Sequence, residues 1–506
     1  MRFFRTNKIT GSGLILLPVF IFLASCSLVA QVKKVTVLST CDIHAAFDPR
    51  GSSWLKLGSL IRKERREAGT DDSLLIDCGD TLQGSYSGMF TRGMVSLKML
   101  NALNYDAWVP GNHDFDFGVK RLLAITRDFK GAILAGNVSC PAPFSSYKVF
   151  NRGGLKIAVV GLGCCNPSSY DPVSLKGIEL ENADEYLERT MKPVSASKPD
   201  IIILAMHNGR FSKKPDLFKL LRRFPEINLV LGAHSHAEEP GVSSGRTWFM
   251  QSGSHANFLG KAVIEYDTYK RKVSIKSELI PVEQSTQIDH ESEKKVSKLL
   301  SDADRGAKEI IGRNSVTLDT PRSRKKPSGI SRLFCLAMAD ATDADAAFHD
   351  IPVRKAELRK GKITGHDVFR LMPYQNTVCI LQLNREQIAG IIKEQYHPVG
   401  STRRFLHFTG MTVMLTRDGE LIGNPVLKDS SELSGDKKIK VAFSSYALTG
   451  AGGRWPYLKE LADSGKCGYY DANIQIRKLL ENYIKSHSPL NIHPVNNIRY
   501  IKQSKR

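Results

Sequence analysis

The 506-residue chain has no Cys-x-x-Cys pair, and its nine cysteines fall at irregular spacings. That absence excludes a zinc knuckle and a thioredoxin-type redox centre. There is no internal repeat and no long low-complexity tract, so a purely structural repeat protein is not indicated. No recognition helix, zinc finger or RNA-binding sheet motif is present, and sequence-specific nucleic-acid recognition is not expected. Negative charge is scarce: Asp plus Glu number 51 against 72 Lys plus Arg, a net charge of +21. Such an excess concentrates anions at the surface, and phosphate-bearing small molecules are the simplest anions for it to attract.

What is present is an ordinary globular composition, 42% hydrophobic and 24% charged, over a length that implies two to three domains. The chain begins with Arg2, Arg5 and Lys8, continues through an apolar stretch from Leu14 to Leu23, and reaches Leu23-Ala24-Ser25-Cys26. The apolar stretch is too short to span a bilayer, and the pattern is that of a secretory signal. The last four residues resemble a bacterial lipobox, which implies cleavage before Cys26 and a lipid on its sulfur. A plain signal cut near Ala30 is the alternative. Either way the mature protein is expected in the cell envelope, periplasm or cell surface, with the lipid tying it to a membrane in the first case.

From Val35 to about Val282 the pattern alternates strand and helix. Five segments at or just after apolar, strand-like runs end in metal-ligand residues: Asp42-Ile43-His44, Gly79-Asp80, Gly111-Asn112-His113-Asp114, Met206-His207-Asn208 and Gly232-Ala233-His234-Ser235-His236. Strands feeding polar tips place those tips along one sheet edge. Carboxylate, imidazole and amide oxygen there suit a pair of divalent cations and leave positions for water and phosphate. Cys41 and Cys78, beside ligands, read as small buried hydrophobes. His255, after Gln251-Ser252-Gly253-Ser254, reads as a surface or packed histidine, with a helper to the His234-His236 pair as the alternative, and His349, His366 and His407 lack ligand spacing.

These blocks, in this order, resemble the calcineurin-like metallophosphoesterases and in particular the 5′-nucleotidase family. The resemblance implies a four-layer α/β/β/α sandwich followed by a smaller α+β substrate-binding domain. It implies one metal on Asp42, His44, Asp80 and His236, and another on Asp80, Asn112, His207 and His234. Manganese, zinc, magnesium, cobalt and iron all accept such ligands. Asn112-His113-Asp114-Phe115-Asp116 matches the family's extended block, which implies that His113, oriented by Asp116, stabilises the phosphoryl group.

In the second half, Lys362-Ile363-Thr364-Gly365 and Leu371-Met372-Pro373-Tyr374-Gln375-Asn376-Thr377 resemble the family's carboxyl domain. The segment around Phe405 resembles a loop whose aromatic stacks on a base, and Trp455 takes the place of the opposing ring. Two departures stand out. Arg454 replaces an aspartate beside that ring, and Phe348-His349-Asp350-Ile351-Pro352-Val353-Arg354 lacks the glycines of the family's pattern, with Arg354 or Lys355 keeping a cation. The expected division is a signal at 1–26, the phosphoesterase domain at 33–285, a helical linker at 286–328 and the substrate-binding domain at 329–503. The expected activity is 5′-nucleotidase. A 2′,3′-cyclic-nucleotide 2′-phosphodiesterase, a UDP-sugar hydrolase and a non-enzymatic surface binding protein on the same fold are the alternatives.

Overall fold

The computed structural model describes residues 32–47, 53–141, 144–171, 174–212, 216–320, 327–350, 353, 355–396, 406–450 and 454–501. The signal segment with Cys26, and also Arg354 and Phe405, lie outside the described residues. Among those described, no helix is long and apolar enough to cross a membrane.

Two six-stranded mixed sheets form the first lobe. In one, Val32–Thr40 runs parallel to Ser73–Asp77, which is followed in parallel by Ala107–Trp108 and Ala132–Ile133. Its other side is antiparallel to Phe258–Asp267, itself paired with Lys272–Pro281. In the second sheet Leu155–Leu162, Ile201–Met206 and Leu229–Gly232 lie parallel at the centre. Gly153 and Gly154, both at positive φ, turn the chain between the antiparallel strands Tyr147–Arg152 and Leu155–Leu162, as the sequence indicates.

Strands that read as unbroken apolar runs are those buried on both faces. Val35 and Val37 pack between the sheets with Ile157, Ile203 and Leu231, while Leu38 of the same strand faces the helices with Leu57 and Ile61. The helix carrying those residues, Trp54–Ala68, starts where Ser53 accepts a hydrogen bond from the Leu55 N–H. On the far side, Ala183–Ala196 and Leu217–Arg223 cover the second sheet through Leu187, Val194 and Leu220. The result is helix, sheet, sheet, helix, the expected four layers.

The helix His290–Lys308 packs on Met94–Ala102 of the first lobe and on Gly365–Leu371 of the second. The chain then enters Ile310–Asn314, which pairs with Gly361–Thr364. The span 286–328 is therefore not wholly helical linker: β-branched Ile310 and Ile311, which continue the helical spacing in the sequence, belong to a strand of the second lobe. That lobe is built on a five-stranded sheet, with Gly329–Thr342 and Ile476–Ser486 packed on one face and Arg385–Glu394 and Pro456–Asp463 on the other.

Glycine sets how closely the lobes approach. A Cβ at Gly365 would lie 2.7 Å from the Gly306 carbonyl oxygen and 3.0 Å from the Tyr86 hydroxyl. Gly365→Ala must therefore push backbone apart, and we expect it to destabilise the protein by about 1–3 kcal/mol, read as a lower thermal midpoint. A midpoint at or above wild type would mean that the helices separate without cost.

Candidate metal centre

Each group of candidate ligands sits where a strand ends. Asp42 and His44 follow Val32–Thr40, Asp80 follows Ser73–Asp77, Asn112 follows Ala107–Trp108, His207 follows Ile201–Met206, and His234 and His236 follow Leu229–Gly232. Asp42, His44, Asp80, His234 and His236 all adopt positive φ, between 50° and 69°. Left-handed backbone at non-glycine residues costs about 1–3 kcal/mol each and persists only where the surroundings enforce it.

Around Asp80 the enforcing groups are two buried carboxylates. Asp114 accepts hydrogen bonds from the backbone N–H of Asp80 at 3.0 Å, of Thr81 and Leu82 at 2.8 Å, and of Gly111 at 2.8 Å. It thereby binds the Asp80 turn to the Asn112 turn. Asp77 accepts from the Gly79 N–H at 3.0 Å, from the Thr40 hydroxyl at 2.6 Å and from the Thr81 hydroxyl. Gly79, at φ +95°, is required as glycine because a Cβ would lie 2.4 Å from the Gly111 nitrogen.

The turns bring six donors into two groups. Asp42, His44 and His236 each offer an atom within 4.8 Å of the others, and so do Asp80, His207 and His234. His44 Nδ1 donates to the Gln83 carbonyl at 2.8 Å and His207 Nδ1 to the Cys78 carbonyl at 2.7 Å. A carbonyl can only accept, so both rings keep the Nε2 lone pair for the interior. His44 Nε2 and His236 Nε2 lie 3.1 Å apart, and His207 Nε2 lies 3.2 Å from Asp80 Oδ2.

Asn112 donates its amide N–H to the Ser169 carbonyl at 3.0 Å, which turns its oxygen inward. That oxygen and His234 Nδ1 are buried without a hydrogen-bond partner among the described residues, and His207 Nε2 faces Asp80 Oδ2. Buried acceptors normally find partners. Converging nitrogen and oxygen lone pairs of this kind fit a pair of divalent cations.

Burial lowers His44 to about 3 and His234 to about 4, leaving both imidazoles neutral as ligands must be. Burial also opposes protonation of His207, but Asp80 outweighs it and raises that imidazole to about 9, so that it holds a proton that a bound cation would displace. Burial pushes Asp42 up to about 7. For His113, burial opposes protonation, but Asp116 and then Asp80 outweigh it and raise the imidazole to about 10. The His113 Nδ1 to Asp116 Oδ2 distance is 2.9 Å, and the His113 backbone N–H donates to Asp80 Oδ1 at 2.8 Å.

A cleft of about 320 Å³ opens beside these groups, between the lobes. The first lobe contributes Asn112, His113, Asp116 and His234 to its wall, and the second contributes His349, Asp350, Tyr374 and Tyr446. Tyr374 stands with its ring 6.3 Å from that of His113. Its loop is held by Arg477, which donates to the Met372 and Tyr374 carbonyls, and by the Gln83 side chain, which donates to the Pro373 carbonyl at 2.6 Å. Ser445 donates to Asp171 across the lobes at 3.1 Å.

Of the substrate-side residues named from the sequence, Trp455 is misplaced. It is 2% exposed and packed in the core with Leu448 and Leu458, so neither ring face meets the cleft. Tyr446, just past the end of strand Ile439–Ser444, lines the cleft instead. Arg454 lies against two residues of the cleft wall, its guanidinium 5.5 Å from the centre of the Tyr446 ring and 4.0 Å from Asp350 Oδ2. His349 was set aside for lack of ligand spacing, yet it lines the cleft while stacking on Phe334 at 4.3 Å. Tyr446, His349 and Asp350 all sit at the end of a strand, the signal that identified the metal-side residues.

Sheet-end turns, paired donor groups and an interlobe cleft define a metallophosphoesterase. The chain matches the calcineurin-like phosphoesterase model over residues 35–238 and the 5′-nucleotidase C-terminal domain over residues 310–460. It belongs to the 5′-nucleotidase family of metallophosphoesterases and is a phosphoric ester hydrolase. It is 22% identical to a 5′-nucleotidase of Vibrio cholerae, covering 91% of this chain and 92% of that one. It is 23% identical to Protein UshA of Escherichia coli, over 95% and 97% of the two chains. In fold it resembles a putative 5′-nucleotidase from Staphylococcus aureus, with TM-score 0.76 and 18% identity over 93% of this chain and 100% of the other.

Because Asp114 holds Asp80 only through its backbone N–H and belongs to neither donor group, its removal tests the scaffold. Asp114→Asn puts an amide N–H among four backbone donors. Each hydrogen bond to a charged acceptor is worth about 1.5–3 kcal/mol, so we expect a thermal midpoint several degrees lower together with reduced metal content after reconstitution. Unchanged metal content at a lower midpoint would confine Asp114 to stability alone.

Proposed function

We propose that this chain is an exported, lipid-anchored 5′-nucleotidase that releases phosphate from nucleotides through a two-metal site. The observation that carries the reading is the juxtaposition of the two donor groups with His113 at one side of a cleft whose other wall belongs to the second lobe. The similarity to 5′-nucleotidases over nearly the whole chain supports it.

In this reading Asp42, His44, Asp80 and His236 hold one divalent cation, and Asp80, Asn112, His207 and His234 the other. The pair, when bound, supplies an activated water and offsets charge on the phosphoryl oxygens. His113 presents an N–H to those oxygens, and charge-assisted bonds of this kind strengthen as charge develops in a water-poor site. Asp116 fixes the ring and keeps it protonated. Burial in the interlobe cleft limits competing solvent. The nucleoside extends toward the second lobe, where Tyr446 offers a ring face in place of Trp455 and Phe405 supplies a second. Export follows from the basic and apolar amino terminus and Cys26, and it suits scavenging of phosphate or nucleoside outside the cytoplasm.

Arg454 favours one second reading. A cation beside Tyr446 and Asp350, on the nucleoside side of the cleft, suits a UDP-sugar, whose second phosphate lies away from the reacting one, while a 2′,3′-cyclic nucleotide, with a single negative charge, is the other alternative. Rates on these, on adenosine 5′-monophosphate and on a simple aryl phosphate separate the possibilities.

We expect adenosine 5′-monophosphate to be preferred over the aryl phosphate, and His113→Ala to lower kcat about 10²–10⁴-fold with metal content retained. Equal rates on the two substrates would remove the nucleotidase reading. An unimpaired His113→Ala variant would remove the proposed role of that residue. Chelation is expected to abolish turnover, and restoration by a divalent cation completes the test.

A further inference from the structure

His255 follows no ligand motif, yet the fold delivers it to the metal centre. Its ring centroid lies 5.1 Å from that of His44 and 5.5 Å from that of His236. The corresponding spacings within the two donor groups are 5.1 Å for His44 with His236 and 5.2 Å for His207 with His234. His255 thus stands at the separation found between imidazoles that converge on a common point, on the side of His44 and His236.

The backbone fixes it there. The His255 N–H donates to the Asp42 carbonyl at 2.8 Å, the Cys41 thiol contacts the Gly253 carbonyl at 3.2 Å, and the Ser252 hydroxyl contacts the Cys41 sulfur at 3.4 Å. Three contacts therefore tie the 252–255 loop to the turn that carries Asp42. His255 and Ala256 are both left-handed, at φ +54° and +57°, as are most of the candidate ligands. Strain of this kind at consecutive non-glycine residues clusters where function requires it. The ring is solvent-exposed and its Nδ1 lies 3.0 Å from the Ser254 hydroxyl, so nothing in the core demands an imidazole at this position.

We propose that His255 is a further nitrogen ligand of the cation held by Asp42, His44 and His236, an inference that rests on the two-metal reading above. His255 lies outside the tight donor group formed by those three residues, and it closes on the cation from the solvent side. Three imidazoles make this the nitrogen-rich site of the pair. Nitrogen ligands favour zinc, cobalt, iron or manganese over magnesium, which prefers oxygen and retains its waters. The two positions would then differ in metal preference, with the discrimination built into the loop after strand Thr247–Ser252.

The test uses the full chain, stripped of metal and titrated with Co²⁺ in competition with a chromophoric chelator, reading both affinities and the visible absorption of bound cobalt. The first variant is His255→Asn, because asparagine tolerates left-handed backbone and leaves the turn intact. We expect one of the two Co²⁺ affinities to fall at least tenfold with a changed absorption band, the other affinity to stay at the wild-type value, and His236→Asn to weaken the same site. Magnesium is expected not to displace cobalt from that site in the wild-type chain. Two unchanged affinities and an unchanged spectrum in His255→Asn would overturn the proposal while leaving the two-metal reading standing. A wild-type chain that binds fewer than two Co²⁺ ions would overturn both.

Discussion

The four hydrogen bonds accepted by the Asp114 carboxylate are the constraint on which the site depends. Strand ends alone supply proximity, since parallel strands deliver every tip to the same edge. They do not supply orientation. A buried carboxylate that gathers the N–H groups of two successive turns converts two loops into one rigid element, and Asp80 and Asn112 project from it together. The same residue run that provides Asn112 and His113 therefore also provides the clamp that aims Asp80.

The metal side is braced by buried carboxylates, and the opposite wall of the cleft is polar, with His349, Asp350, Gln375 and Asn376. Among the described residues the lobes meet through directed hydrogen bonds, through close helix contact at Gly306 and Gly365, and through ring contacts such as Tyr86 with Phe369 at 5.7 Å. Gln83 joins the two sides: its carbonyl orients His44 while its side-chain amide holds the Pro373 carbonyl. A metal-side residue and a substrate-side loop thus share one anchor. Arg477 adds a buried cation behind the same loop, lowered to about 10 by its burial, and it carries the Tyr374 backbone toward His113.

The metal-side residues were legible in the sequence because their positions are local consequences of strand ends. An apolar run that stops at Asp42, Asp80 or His207 announces both the strand and its tip. What escaped was set by packing. Trp455 and Tyr446 lie nine residues apart in one segment, and only the tertiary fold decides which ring enters the core of the second lobe and which reaches the cleft. His255 gave no spacing signal because its proximity to His44 is created by pairing between distant strands. Ile310 and Ile311 continued a helical period that the real helix had already left. Local pattern carries local structure, and the faces chosen in packing are invisible to it.

The left-handed backbone of the donor turns has a consequence for how the sequence can drift. Glycine, asparagine and aspartate tolerate that conformation best. At Asp42 and Asp80 the replacement most compatible with the backbone is therefore asparagine, which keeps the turn and removes the charge. If these carboxylates hold cations as proposed, loss of catalysis is then separable from loss of fold, and a single nucleotide change suffices for it. Replacement by a β-branched or bulky residue removes both. The same geometry that aims the ligands thus leaves a short mutational path from an enzyme to a folded, inert relative.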